Sequence, residues 1–320
     1  MTRAPALLAL LPLHLALLLA YTVLPADGYT HSISNLLHRR QSPTSVNARL
    51  AALMPRAASA SWTTVPGKNN TRSLSDGTFK PTKAMSNPKW TYGPAPDGKR
   101  SLIATYPKGS YTFTHEPKGG FSFYAKGPVD LSNAKEVTFG YSVFFPQGFL
   151  FNKGGKLPGL YGGDSDSVAT SCSGGRRDNK CFSARLMWRS QGDGEFYTYL
   201  PPGESANQKV CNVPPMSECN PTYGASVGRG SFKFATGEWT VVSERVRLND
   251  PGKANGQLQL YANGRTVVNV GGLVLTTSSQ GRIRGMQFQT FFGGSKPEWA
   301  SPKTQQVFFS DFTMAVTEEF

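Results

Sequence analysis

The sequence predicts an all-β protein with the architecture of a β-jelly-roll sandwich. The 320 residues include 34 glycines and 23 prolines but only 17% charged residues, a composition that argues against long uninterrupted helices. Aromatic residues make up 12% of the chain, and together with frequent β-branched residues they favour strands. From residue 90 onward, short β-like runs alternate with turn residues, which is the pattern of a sandwich or jelly roll.

Several runs carry this pattern most clearly, and we predict each to be a strand. They are residues 136–145, 182–189, 195–200, 239–248, 257–262, 265–270, 284–292 and 306–316. Asn263-Gly264 lies between two of them and predicts a tight hairpin, because both central residues of a type I′ turn need positive φ. No internal repeat is visible, so we expect one domain over residues 85–320.

The beginning of the chain has the layout of a secretory signal peptide. Residues 4–20 are almost entirely apolar, follow Arg3 and lead into small residues, which predicts a signal peptide over residues 1–26. A membrane anchor is the alternative, but Pro12 and His14 interrupt the apolar run and no cluster of Lys or Arg follows it. We therefore expect a secreted protein that is not held at a membrane.

The segment from residue 27 to residue 84 is rich in Ser, Thr, Asn, Pro and Ala and shows little sustained periodicity. We interpret it as a propeptide or disordered linker. Arg39-Arg40 is a candidate dibasic cleavage point, although two solvated charges explain the pair equally well. Asn69-Asn70-Thr71 is an N-glycosylation sequon, which is meaningful if the chain is secreted.

The cysteines are four in number, at positions 172, 181, 211 and 219. An even count in an oxidising compartment favours two disulfides, for which three connectivities exist. We favour Cys172 with Cys181 and Cys211 with Cys219, because each pair encloses a short loop rich in Gly, Asn or Pro. A zinc site is disfavoured, since there is no Cys-x-x-Cys pair and His115 is the only histidine beyond residue 38.

The formal net charge of +14 indicates a surface that attracts a polyanion, either nucleic acid, anionic lipid or an acidic polysaccharide. Secretion and the dispersed positions of the basic residues argue against nucleic acid, and we expect no nucleic-acid partner.

Alternation along the predicted strands places a set of functional side chains on one face of a sheet. Residues i and i+2 of a strand share a face, so the apolar residues at even positions of 182–189 belong to the core. The opposite face carries Ser183, Arg185, Met187 and Arg189 from that strand, Glu195, Tyr197 and Tyr199 from the next, and Gln287 and Gln289 from a third. Any antiparallel sheet has a wet face. This one suits a sugar chain bearing carboxylates, because arginine matches carboxylate geometry and tyrosine rings can stack on sugars.

Longer stretches resemble a known family. The segments FFPQGFLFNKGGKLPGLYGG (144–163), FSARLMWRSQGDGEFYTYLP (182–201) and FQTFFGG (288–294) are similar to the polysaccharide lyase family 14 domain over roughly residues 85–320. The resemblance implies a β-jelly-roll enzyme with a concave substrate-binding sheet. It also implies cleavage of alginate or a related polyuronate, such as glucuronan, by β-elimination.

The resemblance also implies which residues act. The family's functional lysine corresponds to Lys156 in the run GGKLPG, its Ser-x-Arg pair to Ser183 and Arg185, and its Tyr-x-Tyr pair to Tyr197 and Tyr199. We therefore predict Lys156, Arg185, Tyr197 and Tyr199 as catalytic residues, and Lys153, Ser183, Arg189, Gln287 and Gln289 as substrate-binding residues.

β-Elimination removes the proton at C5 of a uronate and needs a group that neutralises its carboxylate, a base at C5 and an acid at the departing O4. We expect Arg185 to bind the carboxylate. Tyr197 and Tyr199 can each serve as base or acid if Lys156 and the arginines lower the pKa of a phenol. The assignment between them stays open. Arginine and lysine supply the positive charge, so we expect no metal and no cofactor.

Other functions are disfavoured. A glycoside hydrolase needs two carboxylates flanking the bond, and acidic residues near the predicted groove are few, although Asp164 and Asp166 keep this option open. GGKLPG is not a phosphate loop, because Leu157 stands where Ser or Thr is required, and His115 offers no Ser-His pairing. The alternative to a lyase is a noncatalytic lectin-like module. In either case we expect a monomer whose partner is an acidic polysaccharide.

Overall fold

Two antiparallel β-sheets share one core in the computed structural model, which describes residues 45–86 and 88–320. In chain order the strands are β1 (Ala60–Thr63), β2 (Pro81–Thr82), β3 (Thr91–Pro94), β4 (Arg100–Tyr106), β5 (Phe121–Ala125), β6 (Ala134–Phe144), β7 (Gly154–Gly163), β8 (Cys181–Arg189), β9 (Asp193–Tyr199), β10 (Ala225–Lys233), β11 (Trp239–Arg247), β12 (Gly256–Ala262), β13 (Arg265–Leu273), β14 (Arg282–Phe292) and β15 (Gln305–Glu319). The first sheet has the order β13-β12-β11-β6-β15-β4-β3, with β1 also paired to β15, and the second has the order β10-β9-β8-β7-β14-β5-β2. The predicted all-β jelly-roll sandwich is confirmed.

The core between the sheets consists largely of aromatic rings. Phe288 of β14 stacks on Phe123 of β5 with 4.7 Å between ring centroids, and Phe312 of β15 approaches Phe288 from the other sheet at 5.3 Å. The apolar residues at even positions of β8 are all buried in this core. The alternation predicted for β8 is therefore present, and the odd positions from Ser183 to Arg189 point away from the core.

Every predicted strand is present, with ends that differ by a few residues. Asn263 and Gly264 have φ values of 48° and 78°, the two positive values that a type I′ hairpin turn requires. Both favoured disulfides, Cys172–Cys181 and Cys211–Cys219, are present. Among the described residues, three short α-helices, α1 (Val46–Leu53), α2 (Asp76–Phe79) and α3 (Asp166–Ala169), precede or interrupt the strands. In the described part of the chain, every helix is too short or too polar to cross a membrane.

The described residues of the segment before residue 85 are part of the fold, whereas the sequence suggested a propeptide or disordered linker there. β1 pairs with β15, and the side chains of Trp62 and Phe79 are fully buried in the core between the sheets. Leu53 of α1 packs against Val241, on the outer face of the first sheet. Trp62 and Phe79 each stand singly among polar residues, so no periodicity revealed them.

The packing of α1 covers part of the outer face of the first sheet, where the Ser243 hydroxyl donates to the Leu53 carbonyl at 2.8 Å. The outer face of the second sheet carries the predicted site residues except Lys153, which lies in the loop before β7. The proposed signal peptide and Arg39-Arg40 lie outside the described residues.

Candidate active site

Strands β7, β8 and β9 bring the four predicted catalytic residues together on the outer face of the second sheet. Arg185 of β8 lies opposite Tyr197 of β9, and Met187 of β8 lies opposite Lys156 of β7. The Lys156 Nζ lies 3.8 Å from the centroid of the Tyr197 ring. The Arg185 Cζ lies 5.7 Å from the Tyr197 centroid and 6.0 Å from the Tyr199 centroid. These distances place the four side chains in one cluster.

Pro158 interrupts the ladder of β7 close to Lys156, and the pairing with β8 shifts at this residue because proline has no N–H to donate. Two side chains from the first sheet bind the backbone at the irregularity. The Tyr141 hydroxyl donates to the Pro158 carbonyl at 3.0 Å, and Glu244 Oε1 accepts from the Leu160 N–H at 2.5 Å. These contacts hold the backbone from which Lys156 projects.

Glu244 is a buried acid in the sandwich core. Its second carboxyl oxygen has no hydrogen-bond partner, and burial raises the pKa of Glu244 well above its usual range. Burial favours the uncharged acid, because the interior does not solvate the anion. Through Oε1, Glu244 serves the backbone of β7 as a hydrogen-bond acceptor.

Lys156 has lost most of its contact with water, with a side chain 9% exposed. Its Nζ donates to the Met187 sulfur at 2.8 Å. Burial, followed by the charges of Arg189 and Arg185, holds the pKa of Lys156 well below its usual value, and Glu195 opposes them. This direction runs against the expectation that Lys156 supplies positive charge, because desolvation favours the neutral amine. A neutral amine can accept a proton.

Tyr197 and Tyr199 project side by side from β9, with 5.8 Å between ring centroids and 80° between ring planes. Each hydroxyl accepts a hydrogen bond from a glycine N–H, from Gly224 to Tyr197 at 3.2 Å and from Gly175 to Tyr199 at 3.0 Å. Burial raises the pKa of Tyr197 well above its usual value, and Arg185 and the Gly224 N–H oppose this only in part. The expectation that nearby cations lower the pKa is wrong for Tyr197, because the loss of solvent outweighs them. Tyr197 keeps its proton near neutral pH.

Arg185 lies at the base of the face, 2% exposed. Its Nη1 donates to Gln289 Oε1 at 2.6 Å, and Gln287 Nε2 donates to the same oxygen at 2.9 Å. Gln289 Nε2 donates to Ser122 Oγ at 3.0 Å, and Gln287 Nε2 also reaches the Tyr124 hydroxyl at 3.2 Å. The Arg185 Nε is buried without a partner. Gln289 thus holds Nη1 of the guanidinium, Gln287 holds Gln289, and the guanidinium Nε is left without a hydrogen-bond partner in the protein.

Glu195 is a fully buried carboxylate on the same face and was not among the predicted site residues. Its Oε1 lies 2.7 Å from Arg189 Nη2, its Oε2 lies 3.0 Å from Arg229 Nε, and the Ser226 hydroxyl donates to Oε2. The Arg189 Cζ in turn lies 5.9 Å from the Trp299 ring. Alternation places Glu195 on this face, but its partner from β10 is distant in sequence, so the cluster had no local signal.

Met187 was also not predicted as a site residue, although the alternation that selected Arg185 and Arg189 places it between them. Its sulfur is the acceptor for Lys156. A methionine on the polar face of a strand is the signal that identifies it.

Two predicted substrate-binding residues lie apart from the central group. Ser183 is buried, and its hydroxyl donates to the Cys172 carbonyl at 2.8 Å, so it braces the disulfide-closed segment. Lys153 is half exposed in the loop before β7, and its Nζ lies 3.6 Å from a carboxyl oxygen of Glu298. Within residues 45–86 and 88–320, no group of three or more His, Cys, Asp or Glu side chains is arranged to hold a metal ion.

The outer face of the second sheet thus assembles an arginine, a desolvated lysine and two tyrosines. These are the groups that proton transfer on an anionic sugar requires. A β-sandwich with such a site belongs with the carbohydrate-active enzymes. The family model described as Polysaccharide lyase 14 matches residues 94–312. This chain is a member of the polysaccharide lyase 14 family, and is an enzyme that acts as a lyase on polysaccharides.

Solved structures support this membership. The marine PL-14 alginate lyase from Aplysia kurodai is 33% identical, with 81% of this chain and 99% of that chain covered and a TM-score of 0.69. The alginate lyase vAL-1 from Chlorella virus is 27% identical, with 75% and 93% covered and a TM-score of 0.63. The alginate lyase Aly36B, 21% identical with a TM-score of 0.58 over 81% of this chain and 98% of that one, shares the fold. No match was found among curated proteins.

Proposed function

We propose that this lyase cleaves a polyuronate of the alginate or glucuronan type by β-elimination, leaving an unsaturated uronate at the new non-reducing end. The observation that carries the proposal is the meeting of Arg185, Lys156 and Tyr197 on one face. These groups match the three tasks that elimination sets: a cation for the carboxylate, a base and an acid. The similar enzymes from Aplysia kurodai and Chlorella virus are alginate lyases, which supports the same substrate class.

In the proposed reaction, Arg185 binds the carboxylate of the uronate that loses its C5 proton, which is the sugar on the C4 side of the broken C4–O4 bond. The guanidinium stays charged at every relevant pH and can bind both carboxylate oxygens. It thereby stabilises the negative charge that develops when the C5 proton leaves. The electron pair of the C5–H bond forms the C4–C5 double bond, the C4–O4 bond breaks, and O4 takes up a proton.

We assign the base and the acid from the environments of the two groups. The lowered pKa of Lys156 favours the neutral amine, which can accept the C5 proton. The raised pKa of Tyr197 keeps its hydroxyl protonated, so that it can donate to O4. Groups whose environments push their pKa values in opposite directions are suited to separate base and acid roles. Tyr199 lies beside Tyr197, with 5.8 Å between the ring centroids, and packs against it.

The proposal is tested by incubating the purified protein with polymannuronate, polyguluronate, glucuronan and pectate in separate reactions. We expect ultraviolet absorbance from the new double bond with at least one polyuronate, and mass spectrometry should find oligosaccharides with one unsaturated end. Binding to these polymers with no such absorbance on any of them would favour the lectin-like alternative. Hydrolysis, in contrast, would add one water for each bond broken and leave no unsaturated end.

The proposal extends to the context in which the enzyme works. The two disulfides support an oxidising compartment, and we propose secretion after removal of residues 1–26. Cleavage after Arg39-Arg40 would leave the packed segment from residue 45 onward attached. Asn69 is exposed and is our proposed glycosylation site. Amino-terminal sequencing of the secreted protein, glycosidase treatment and light scattering test the processing, the glycan and the monomeric state.

A further inference from the structure

Two segments beside the site are joined by one arginine side chain. The first, which we call the disulfide segment, is residues 172–181, closed by Cys172–Cys181. The second, which we call the glycine segment, is residues 219–224, before β10. Nη2 of Arg177 in the disulfide segment donates to the Asn220 carbonyl at 2.6 Å and also to the Tyr223 carbonyl. These two carbonyls belong to the glycine segment, so the Arg177 side chain links the two segments by hydrogen bonds.

Each segment supplies one peptide N–H to one of the site tyrosines. Gly175 of the disulfide segment donates to Tyr199, and Gly224 of the glycine segment donates to Tyr197. Gly224 leaves no space for a side chain, because a Cβ there would lie 2.7 Å from Cε2 of Tyr199. Gly175 has a φ of 83°, which favours glycine. Both segments therefore approach the tyrosines with their backbone.

A peptide N–H that donates to a phenol oxygen stabilises the phenolate and leaves the phenol proton free to point at a substrate. Peptide donors do not titrate, and they act best when they are fixed before the reaction begins. The hydrogen bond from the Gly224 N–H acts to lower the pKa of Tyr197, opposite to the larger effect of burial. The same N–H would stabilise the anion left after Tyr197 releases its proton.

We propose that Arg177 is a positioning residue for the lyase reaction, holding the disulfide and glycine segments so that the Gly175 and Gly224 N–H groups donate to Tyr199 and Tyr197. This inference rests on the proposed function of the two tyrosines. The planar guanidinium suits the task, because it can donate to two carbonyls in a fixed geometry. The Arg177 Cζ also lies 6.0 Å from the Tyr199 ring centroid, so the guanidinium that links the two segments lies next to the site.

The neighbouring arginine is a matched control. Arg176 lies in the same disulfide segment and carries the same charge, but its Nε donates to the Ser171 carbonyl at 3.4 Å, next to the same segment, and not to the glycine segment. A general effect of basic charge on an anionic substrate would therefore appear in both Arg176→Met and Arg177→Met. An effect that comes from losing the hydrogen bonds between the two segments would appear in Arg177→Met alone.

The experiment compares wild type, R177M, R177K and R176M by steady-state kinetics on the best polyuronate. We expect kcat of R177M to fall about 10- to 100-fold from misplacement of the tyrosine hydroxyls, with KM changed by less than about threefold. R177K should recover part of kcat, because an ammonium can donate to one of the two carbonyls. R176M should keep kcat within about twofold of wild type. Thermal unfolding and thiol titration confirm that each variant is folded with its disulfides intact.

Amide hydrogen exchange provides a readout that does not depend on activity. Exchange at Gly175 and Gly224 should accelerate in R177M, and if R177M does not fold then R177K carries the comparison. Equal kinetic losses in R177M and R176M, a rise in KM at unchanged kcat, or unchanged exchange at both glycines would each overturn the inference. If wild type cleaves no polyuronate, the proposed function fails first, and the exchange rates still decide whether Arg177 holds the two segments.

Discussion

The amine of Lys156 lies 2.8 Å from the sulfur of Met187, which is its hydrogen-bond acceptor. A thioether is a weak acceptor and does not stabilise an ammonium as a carboxylate or water would. The charged groups that act most strongly on the pKa of Lys156 are the two cations Arg189 and Arg185. The surroundings thus favour the neutral amine, and several measurable consequences follow from this.

The first prediction concerns Lys156 as the base. Lys156→Met removes the amine at similar length, and kcat should fall about 100- to 10,000-fold. In wild type, kcat/KM should rise with pH through the pKa of Lys156, because only the neutral amine accepts a proton, and this acid limb should lie well below the usual lysine range. Lys253→Met, at an exposed lysine in the turn between β11 and β12 of the other sheet, is the control and should stay within a few fold of wild type. An acid limb at the ordinary lysine pKa would contradict the assignment.

The second prediction concerns the proton of Tyr197. Tyr197→Phe keeps the ring and removes the hydroxyl, so kcat should fall about 100- to 10,000-fold while calorimetry shows oligosaccharide binding close to that of wild type. Because the pKa of Tyr197 is raised by burial, wild-type kcat should persist into alkaline solution before the acid is lost. Tyr111→Phe, at a tyrosine stacked on His115, serves as the control. Full activity in Tyr197→Phe would transfer the acid role to another group, with Tyr199→Phe as the next variant to measure.

The third prediction concerns recognition of the carboxylate by Arg185. Arg185→Lys keeps the charge but loses the planar fork, so kcat/KM should fall about 10- to 100-fold. Methyl esterification of the polyuronate removes the charged carboxylate that Arg185 binds. On such a polymer wild type should be slow, and Arg185→Lys should be hardly slower than wild type. Arg265→Lys, at an exposed position on β13, controls for the exchange of arginine for lysine. An equal effect of Arg185→Lys on both polymers would indicate that Arg185 acts on something other than the carboxylate.

The fourth prediction concerns stability and Glu244. The folded pKa of Glu244 is raised above its unfolded value, so its contribution to stability is fully present below the unfolded pKa and is lost as pH rises toward the folded pKa. Glu244→Gln can still accept from the Leu160 N–H but does not titrate. The free energy of unfolding of the variant relative to wild type should therefore increase with pH above about 4.3, by up to about 1.4 kcal/mol per pH unit. Urea unfolding of both proteins at several pH values measures this difference, and parallel curves would show that Glu244 is ionised in the fold.

Most of the strands and the orientation of their faces were predictable, because side-chain alternation is local and repeats every two residues. Arg185 and Tyr197 were placed on one face by this rule, and their register across β8 and β9 agrees with it. The two disulfides were predictable for a similar reason, since each closes a short loop. Trp62 and Phe79 were not assigned to the core, because each is an isolated apolar residue whose partners lie elsewhere in the chain.

The sequence by itself determined the sandwich, the residue types available on the outer face of the second sheet and the family. Only the tertiary structure decided the chemical state of those residues. The pKa of Lys156 falls and that of Tyr197 rises, and burial is the largest cause of both shifts. Desolvation is the sum of all the atoms that displace water around a group. Those atoms come from strands and loops far apart in the chain, as the contact from Arg177 to Asn220 illustrates, and no local pattern of residues records them.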